Sequence, residues 1–397
     1  MEMVSEKKIK SNRHAAVVFG GYVNGYSIIR ELSDGGVDSI FLIDNRRSIG
    51  SFSNRISKFI KVEKDSERYI EILERISKDY EFLVIFPTAD DHIEILSGIE
   101  SKISEFSFLP FNERTSKKYL DKIAQYAACE KADVPFPKTF EISQKHDLKL
   151  LESMAYPVIV KPRSREDLGK DVFRNLVLNS DSDLSKNKAV LEDILLRGIK
   201  LMASEIVPGE DDTIYAYTAY RSRDGVLLNE WAGRKLSQYP QHFGVFSSAS
   251  NEAPPEVVAL GRKLIEAMDV IGIVEPEFKY DSRDGQYKLM EVNLRSMMWH
   301  RLGNLCGVRL QLSQWKDALG LNVDRDHQET EKKIHLVYMK HEILNLLSDR
   351  KYFPTFWRNL RGAQERHFAI FNWKDPMPAI CDIPYLMLAA VRLCLRR

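Results

Sequence analysis

Two stretches of the 397-residue chain place oxygen-bearing side chains where they can meet. Val274-Glu-Pro-Glu-Phe-Lys-Tyr280 and Gln286-Tyr-Lys-Leu-Met-Glu-Val-Asn-Leu-Arg295 flank Asp281-Ser-Arg-Asp-Gly285. β-rich runs about a glycine-containing turn read as a hairpin. On the second strand Glu291, Asn293 and Arg295 are two apart, so all three project from one face. Glu277 joins them if it pairs opposite Glu291, which requires a five-residue loop, Ser282 to Gln286. Two carboxylates and an amide oxygen then converge, a hard donor set suited to magnesium, with manganese as the alternative ion. The competing reading is a solvated charged face. It leaves two facing carboxylates repelling each other without a cation.

Strands alternating with helices must position these groups. Ala15 to Phe19 is a buried-strand run followed by Gly20-Gly21 and Gly25, Ile40 to Ile43 ends at Asp44, and Phe82 to Phe86 ends in Pro-Thr-Ala-Asp90-Asp91. Such alternation implies a parallel sheet with ligands beyond the carboxyl ends of its strands. The glycines fall short of the full dinucleotide fingerprint, and a tight turn with close helix packing explains them as well. Thr115 to Ala132 reads as a helix bearing Lys117, Lys118 and Lys122, stopped by Val-Pro-Phe-Pro. A helix over 188–198 precedes the strand Leu201 to Val207, and Ile214 to Arg221 and Val226 to Trp231 read as antiparallel strands.

The chain has 58 basic and 57 acidic residues, a net charge of +1, which supplies no global field for nucleic acid or an anionic membrane and leaves room only for a local basic cleft. The hydrophobic content is 44%, that of a soluble globular protein, and the length implies two or three structural units. Cys129, Cys306, Cys381 and Cys394 lack metal-ligand spacing, so reduced thiols in a cytoplasmic protein are expected. No signal peptide and no transmembrane segment are expected. The apolar tail, Ile383 to Leu395, reads as a packed terminal helix interrupted by Arg392, with membrane contact as the alternative.

Glu-x-Asn-x-Arg preceded by a glutamate on the neighbouring strand resembles the ATP-grasp superfamily, and further elements follow in that family's order. The resemblance implies that Lys122, in Leu-Asp-Lys, reaches the nucleotide from the small lobe. It puts Lys161, in Pro-Val-Ile-Val-Lys-Pro, on the α- and β-phosphates. Glu205, in Ala-Ser-Glu-Ile-Val-Pro-Gly, resembles the hinge acid, with Ile206 and Val207 offering backbone groups to adenine and Asp212 on the ribose. Arg234-Lys235 resembles the basic pair facing the transferred phosphate, with Arg295 as a further cation. The polar stretch after Lys161 holds only Gly169 where many relatives have a glycine-rich lid, so Arg163, Ser164 and Arg165 are candidates to hold phosphate instead.

Within the superfamily, the chain is similar to carbamoyl-phosphate-synthase-like carboxylate–amine ligases, including D-aspartate ligases. Asn24-Gly25-Tyr-Ser-Ile-Ile-Arg-Glu-Leu32, Phe86-Pro-Thr-Ala-Asp90 and Arg-Lys-Leu-Ser-Gln-Tyr-Pro with Phe243-Gly244 carry this similarity. The implied α/β architecture is a Rossmann-like parallel-sheet domain over residues 1–112. A two-lobed α+β ATP-grasp domain follows over 113–325, with lobes 113–204 and 205–325, and then a C-terminal extension, 326–397. The implied activity is ATP- and magnesium-dependent formation of an acyl phosphate from a small carboxylate, attacked by an amine. A homodimer is compatible with it. The alternatives are a bicarbonate-activating or other non-peptide enzyme, and a regulatory nucleotide-binding protein with a retired site. His242 and His300 read first as surface or packing residues and second as proton acceptors. A substrate pocket is expected near Asp90, Arg295 and Arg301.

Overall fold

The computed structural model describes residues 13–112, 117–163, 171–242 and 244–395. Its first sheet is made of β1 (His14–Phe19), β2 (Ile40–Asp44), β3 (Lys58–Lys61), β4 (Phe82–Pro87) and β5 (Ser107–Phe108), in the order β3-β2-β1-β4-β5. All its pairings are parallel. The central strand β1 is an unbroken apolar run because helices cover both faces of a parallel sheet, and Ala15 to Phe19 are fully buried.

Gly20 and Gly25 are explained by packing. Gly20 has φ +84°, a left-handed backbone, and a Cβ on Gly25 would lie 1.9 Å from the Gly20 carbonyl oxygen. Helix Val23–Asp34 thus sits directly on the turn leaving β1. Gly25→Ala is expected to destabilise the protein by about 3 kcal/mol, because backbone cannot yield as a side chain would. Urea unfolding of the variant would check this, an unchanged midpoint counting against it.

The second sheet joins β6 (Thr139–Ile142), β7 (Val158–Pro162), β8 (Leu176–Leu178) and β9 (Leu201–Glu205) in the antiparallel order β6-β9-β7-β8. The third sheet holds β10 (Ile214–Arg221), β11 (Leu227–Tyr239), β12 (Val245–Ser250), β13 (Gly272–Asp281), β14 (Gln286–Asn293), β15 (Ile334–Val337) and β16 (Glu365–Phe368). Its order is β14-β13-β10-β11-β12-β15-β16. Residues 326–397 are therefore continuous with the preceding lobe through β15 and β16.

Several expected boundaries shift. The helix expected over 115–132 runs Lys122–Lys131, because the Asp121 side chain accepts from the Ile123 amide and starts a new helix there. Glu113 to Ser116, and with them Thr115, lie outside the described residues. The helix expected over 188–198 spans Asp181–Leu196 with Ser180 as its cap.

The tail departs most. Among the described residues, helix Met377–Leu395 is the one helix long and apolar enough to cross a membrane, by length and composition alone. It begins before Ile383, and Asp382, the acid that precedes the expected apolar run, is buried against Tyr338 and Lys340. It is not a packed core helix, for only Pro378 and Asp382 on it are buried.

Candidate active site

The hairpin β13–β14 has the register the carboxylates need: Glu277 lies opposite Glu291, and Glu275 opposite Asn293. The loop differs from expectation. Asp281 pairs with Gln286, so the turn is Ser282–Gly285, and the displaced residue is absorbed by a bulge that takes Phe278 opposite Leu289. A bulge leaves one residue unpaired and re-aims the chain; here the Met290 carbonyl accepts from Lys122 Nζ and from the Tyr126 hydroxyl, both at 3.3 Å. Gln125 completes the dock, donating to the Val292 carbonyl at 3.0 Å and accepting from the Val292 amide at 2.9 Å. Helix Lys122–Lys131 is thereby fastened along β14, with Lys122 delivered to Glu291.

The charges form one cluster. Lys122 Nζ is 3.1 Å from Glu291 Oε2, and Lys235 Nζ is 2.5 Å from Glu277 Oε2. Lys122, then Lys235, holds Glu291 down at about 2 despite partial burial. Burial raises Glu277, and the Glu291 charge adds to that against the pull of Lys235. Burial works against the ammonium of Lys122 and Lys235, but Glu291 for the first and Glu277 for the second raise both. Lys161, at the end of β7, is lowered to about 8 by burial and then by the Lys122 charge.

A magnesium ion suits the oxygen set. Glu277 Oε2 is buried and, although ion-paired, accepts no aligned hydrogen bond. Asn293 turns its amide nitrogen to Glu275 Oε1 at 3.5 Å, which leaves its oxygen as the donor for a cation. Among the described residues no group of three or more His, Cys, Asp or Glu side chains is set to hold a metal. Two carboxylates and an amide match an ion that shares its coordination with phosphate and water.

A supporting carboxylate escaped the sequence. Glu275 is fully buried and lies 2.6 Å from His300 Nε2, with the Thr218 hydroxyl donating at 3.3 Å. His300 is thus a buried packing partner. Parity offered a signal, since Glu275 stands two residues before Glu277 on the same strand face.

Other expected residues fall elsewhere. Arg234 and Lys235 split: neighbouring strand positions face opposite ways, so Lys235 meets Glu277 while Arg234 pairs with Glu252 at 3.2 Å. The expected basic pair is therefore a single lysine on this face. Arg295 pairs with Asp90 at 2.6 Å, bringing the strand-end acid to the edge of the cluster, whereas Arg301 turns to Asp34 at 3.4 Å.

Glu205 accepts from the Ala155 amide at 3.1 Å, and the Ile206 amide donates to the Pro157 carbonyl at 2.9 Å, so Ile206 offers a base its carbonyl only. Val207 is buried beside it. Asp212 lies 3.8 Å from the Arg358 guanidinium. Arg163 is held by Asp121 and Glu141, both at 2.5 Å. Ser164, Arg165, Gly169 and Phe243 lie outside the described residues. His242 is a loop residue with φ 71°, its amide donating to Asp211 at 3.0 Å.

No family model matches the chain. A D-aspartate ligase of Enterococcus faecium (strain Aus0004) is 23% identical over 316 residues, 72% of each chain. The N5-carboxyaminoimidazole synthetase of Staphylococcus aureus, complexed with ADP, superposes with a TM-score of 0.64 at 15% identity, covering 87% of each chain. The N5-carboxyaminoimidazole synthase of Aspergillus clavatus, in complex with ADP and 5-aminoimidazole ribonucleotide, gives 0.59 at 15% identity, covering 80% of this chain and 81% of that one. Three sheets in this order, a clustered acid–amide–lysine face and these likenesses agree: the chain has the ATP-grasp fold and is similar in sequence to a D-aspartate ligase.

Proposed function

We propose that this chain is an ADP-forming carboxylate–amine ligase acting on small molecules, with Glu277, Glu291 and Asn293 holding magnesium. The observation that carries the reading is the register of β13 and β14, which sets Glu277 opposite Glu291 beside Lys122 and Lys235. Like charges facing each other are unfavourable, and here each carboxylate is held by a lysine on its other side.

A carboxylate is a poor electrophile. One of its oxygens attacks the γ-phosphorus of ATP, the bond to the β-phosphate oxygen breaks, and ADP leaves. An amine then attacks the acyl carbon, phosphate departs with the carbon–oxygen electron pair, and the amine loses a proton. Phosphoryl transfer depends on alignment and neutralised charge. Lys161 and Lys122 supply positive charge to the phosphates, and Lys235 pairs with Glu277 and opposes the rise that burial imposes on it. Arg295 steadies the carboxylate end, released from Asp90 as substrate enters. Ile206 and Val207 line the adenine edge, Glu205 fixes that hinge through Ala155, and Asp212 meets the ribose. Bound magnesium would neutralise phosphate oxygens and hold the γ-phosphate in line.

Lys161 makes the reading pH-sensitive. Its folded value of about 8 stands below the 10.5 of a free lysine, so its ammonium is lost as pH rises through about 8. ATP affinity of the free protein should therefore fall from about pH 7 to about pH 9, as that group loses its proton. Lys161→Arg, which keeps its charge, should flatten the profile in a calorimetric titration. A flat wild-type profile would take Lys161 off the phosphates.

The test of function is ATP turnover with magnesium against a panel of D- and L-amino acids and small dicarboxylates, with hydroxylamine as trap. Hydroxamate that depends on one carboxylate supports the ligase. Turnover that depends on bicarbonate alone would favour the bicarbonate-activating alternative, and ATP binding without turnover on any acid would leave a regulatory protein.

A further inference from the structure

The C-terminal helix carries a surface the ligase chemistry does not use. On Met377–Leu395 the residues Ile380, Ile383, Met387, Val391 and Leu395 recur at helical spacing and are all exposed, Met387 at 64% and Leu395 at 81%. An amphipathic helix normally turns such a stripe inward; this one turns it to solvent. Beside it, Trp373 is 86% exposed and packs edge-on against Phe371 at 4.7 Å between ring centroids. Between helix and sheet opens an apolar groove of about 320 Å³, lined by Tyr338, Phe368, Ile370, Phe371, Ile383 and Leu386. A contiguous apolar patch of this kind marks an interaction surface.

The exposed charge of this segment has one sign. After Ala369 the sequence has two acids, Asp375 and Asp382, against Lys374, Arg392, Arg396 and Arg397. Both acids are buried and bonded inward: Asp375 to the Tyr26 and Ser53 hydroxyls at 3.0 and 2.6 Å, Asp382 to Tyr338 and Lys340 at 3.0 and 2.9 Å. Lys374 and Arg392 are exposed. Among its described residues the segment thus combines an apolar stripe, exposed aromatic rings and cations, and both of its acids are buried.

We propose that this face docks on an anionic lipid bilayer, with the helix lying in the plane of the interface. Apolar side chains enter the headgroup boundary, Trp373 and Tyr385 sit at its level, and the basic residues meet lipid phosphate. The groove gives an acyl chain room to lodge. A second copy of the chain is a poorer partner, because this face offers its basic residues no carboxylate in return. Spanning is opposed by Asp382, whose bonds to Tyr338 and Lys340 pin the helix to the folded body. The inference is independent of the ligase reading.

The experiment is co-sedimentation of the full chain with vesicles of phosphatidylcholine containing phosphatidylglycerol, compared with phosphatidylcholine alone. Binding should be at least about tenfold stronger to the anionic vesicles and should weaken with added salt. The double variant Met387→Glu, Val391→Glu should lose at least about tenfold in binding, since charge enters the stripe. Both positions are exposed, and an unchanged thermal midpoint would confirm that the variant folds. Equal binding by the double variant overturns the proposal, as does wild-type protein that ignores both vesicles. If that protein is instead a dimer that the variant dissolves, the face belongs to a second copy. Binding that resists alkaline carbonate overturns the interfacial orientation in favour of a spanning helix.

Discussion

Glu291→Gln should lower kcat by at least about 100-fold while leaving the fold intact. The substitution keeps size and hydrogen-bonding shape but removes one of two anionic donors from the proposed magnesium site. Loss of one well-placed electrostatic group at a phosphoryl-transfer site costs about 3 kcal/mol of transition-state stabilisation or more. The cost to folding is smaller. Glu291 is held at about 2 against an ordinary 4.5, so the stability it lends is present above pH 4.5 and is lost as pH falls through about 2. Its side chain is 37% exposed, so water screens the pair with Lys122, and about 1 kcal/mol is the scale to expect at pH 7. Steady-state turnover alongside a thermal melt separates the two effects. Unchanged kcat would remove Glu291 from the metal site, whereas a collapsed melt would make its role structural.

Glu342→Ala should be the most damaging substitution for stability, at about 4 kcal/mol. Glu342 is fully buried on helix Met339–Ser348, and its Oε1 accepts from the Ser237, Ser247 and Ser248 hydroxyls, each at 2.7 Å. The Tyr352 hydroxyl adds contacts at 3.1 and 3.0 Å, and the Asn359 amide lies 3.4 Å away. One carboxylate therefore ties β11 and β12 to the chain after residue 326. Removing it strands several buried donors, which is why the cost exceeds that of a single lost hydrogen bond. Ser237 stands two residues after Lys235, so a loosened β11 should also depress turnover in the fraction that folds. Urea unfolding measures the first effect. A loss below about 1 kcal/mol would show that the donors find other partners.

The legible part of the site was the part governed by strand parity. Two-residue spacing placed Glu291 and Asn293 together, and the mutual repulsion of Glu277 and Glu291 argued for a cation. What hid was long-range. The bulge at Met290 exists because Lys122 and Tyr126, more than 160 positions earlier, reach its carbonyl, and no local pattern announces that. The same holds for Gln125 on Val292 and for His300 on Glu275. Arg234 is the opposite case: adjacency on a strand already put it on the other face from Lys235, and the likeness to a family pair overrode the geometry.

The fold was readable where buried runs were long, as in β1, β4 and β9, and where a proline-rich stretch stopped a helix. It was not readable in β15 and β16, each four residues long, which become strands by pairing onto the edge of an existing sheet. The tail shows a different limit. An apolar helix reads the same whether it packs inside a protein or faces outward, and only the burial of Asp382 with the exposure of Met387 and Val391 separates the two.

The most direct test of the central claim follows an atom. With a carboxylate substrate labelled by oxygen-18 in both oxygens, attack on the γ-phosphorus carries one labelled oxygen into the phosphate released when the amine enters. Phosphorus-31 NMR of the products should therefore show inorganic phosphate bearing one oxygen-18 in step with ADP and amide formation. Unlabelled phosphate formed along with the amide, or release of AMP and pyrophosphate, would contradict carboxylate activation by phosphoryl transfer at this site.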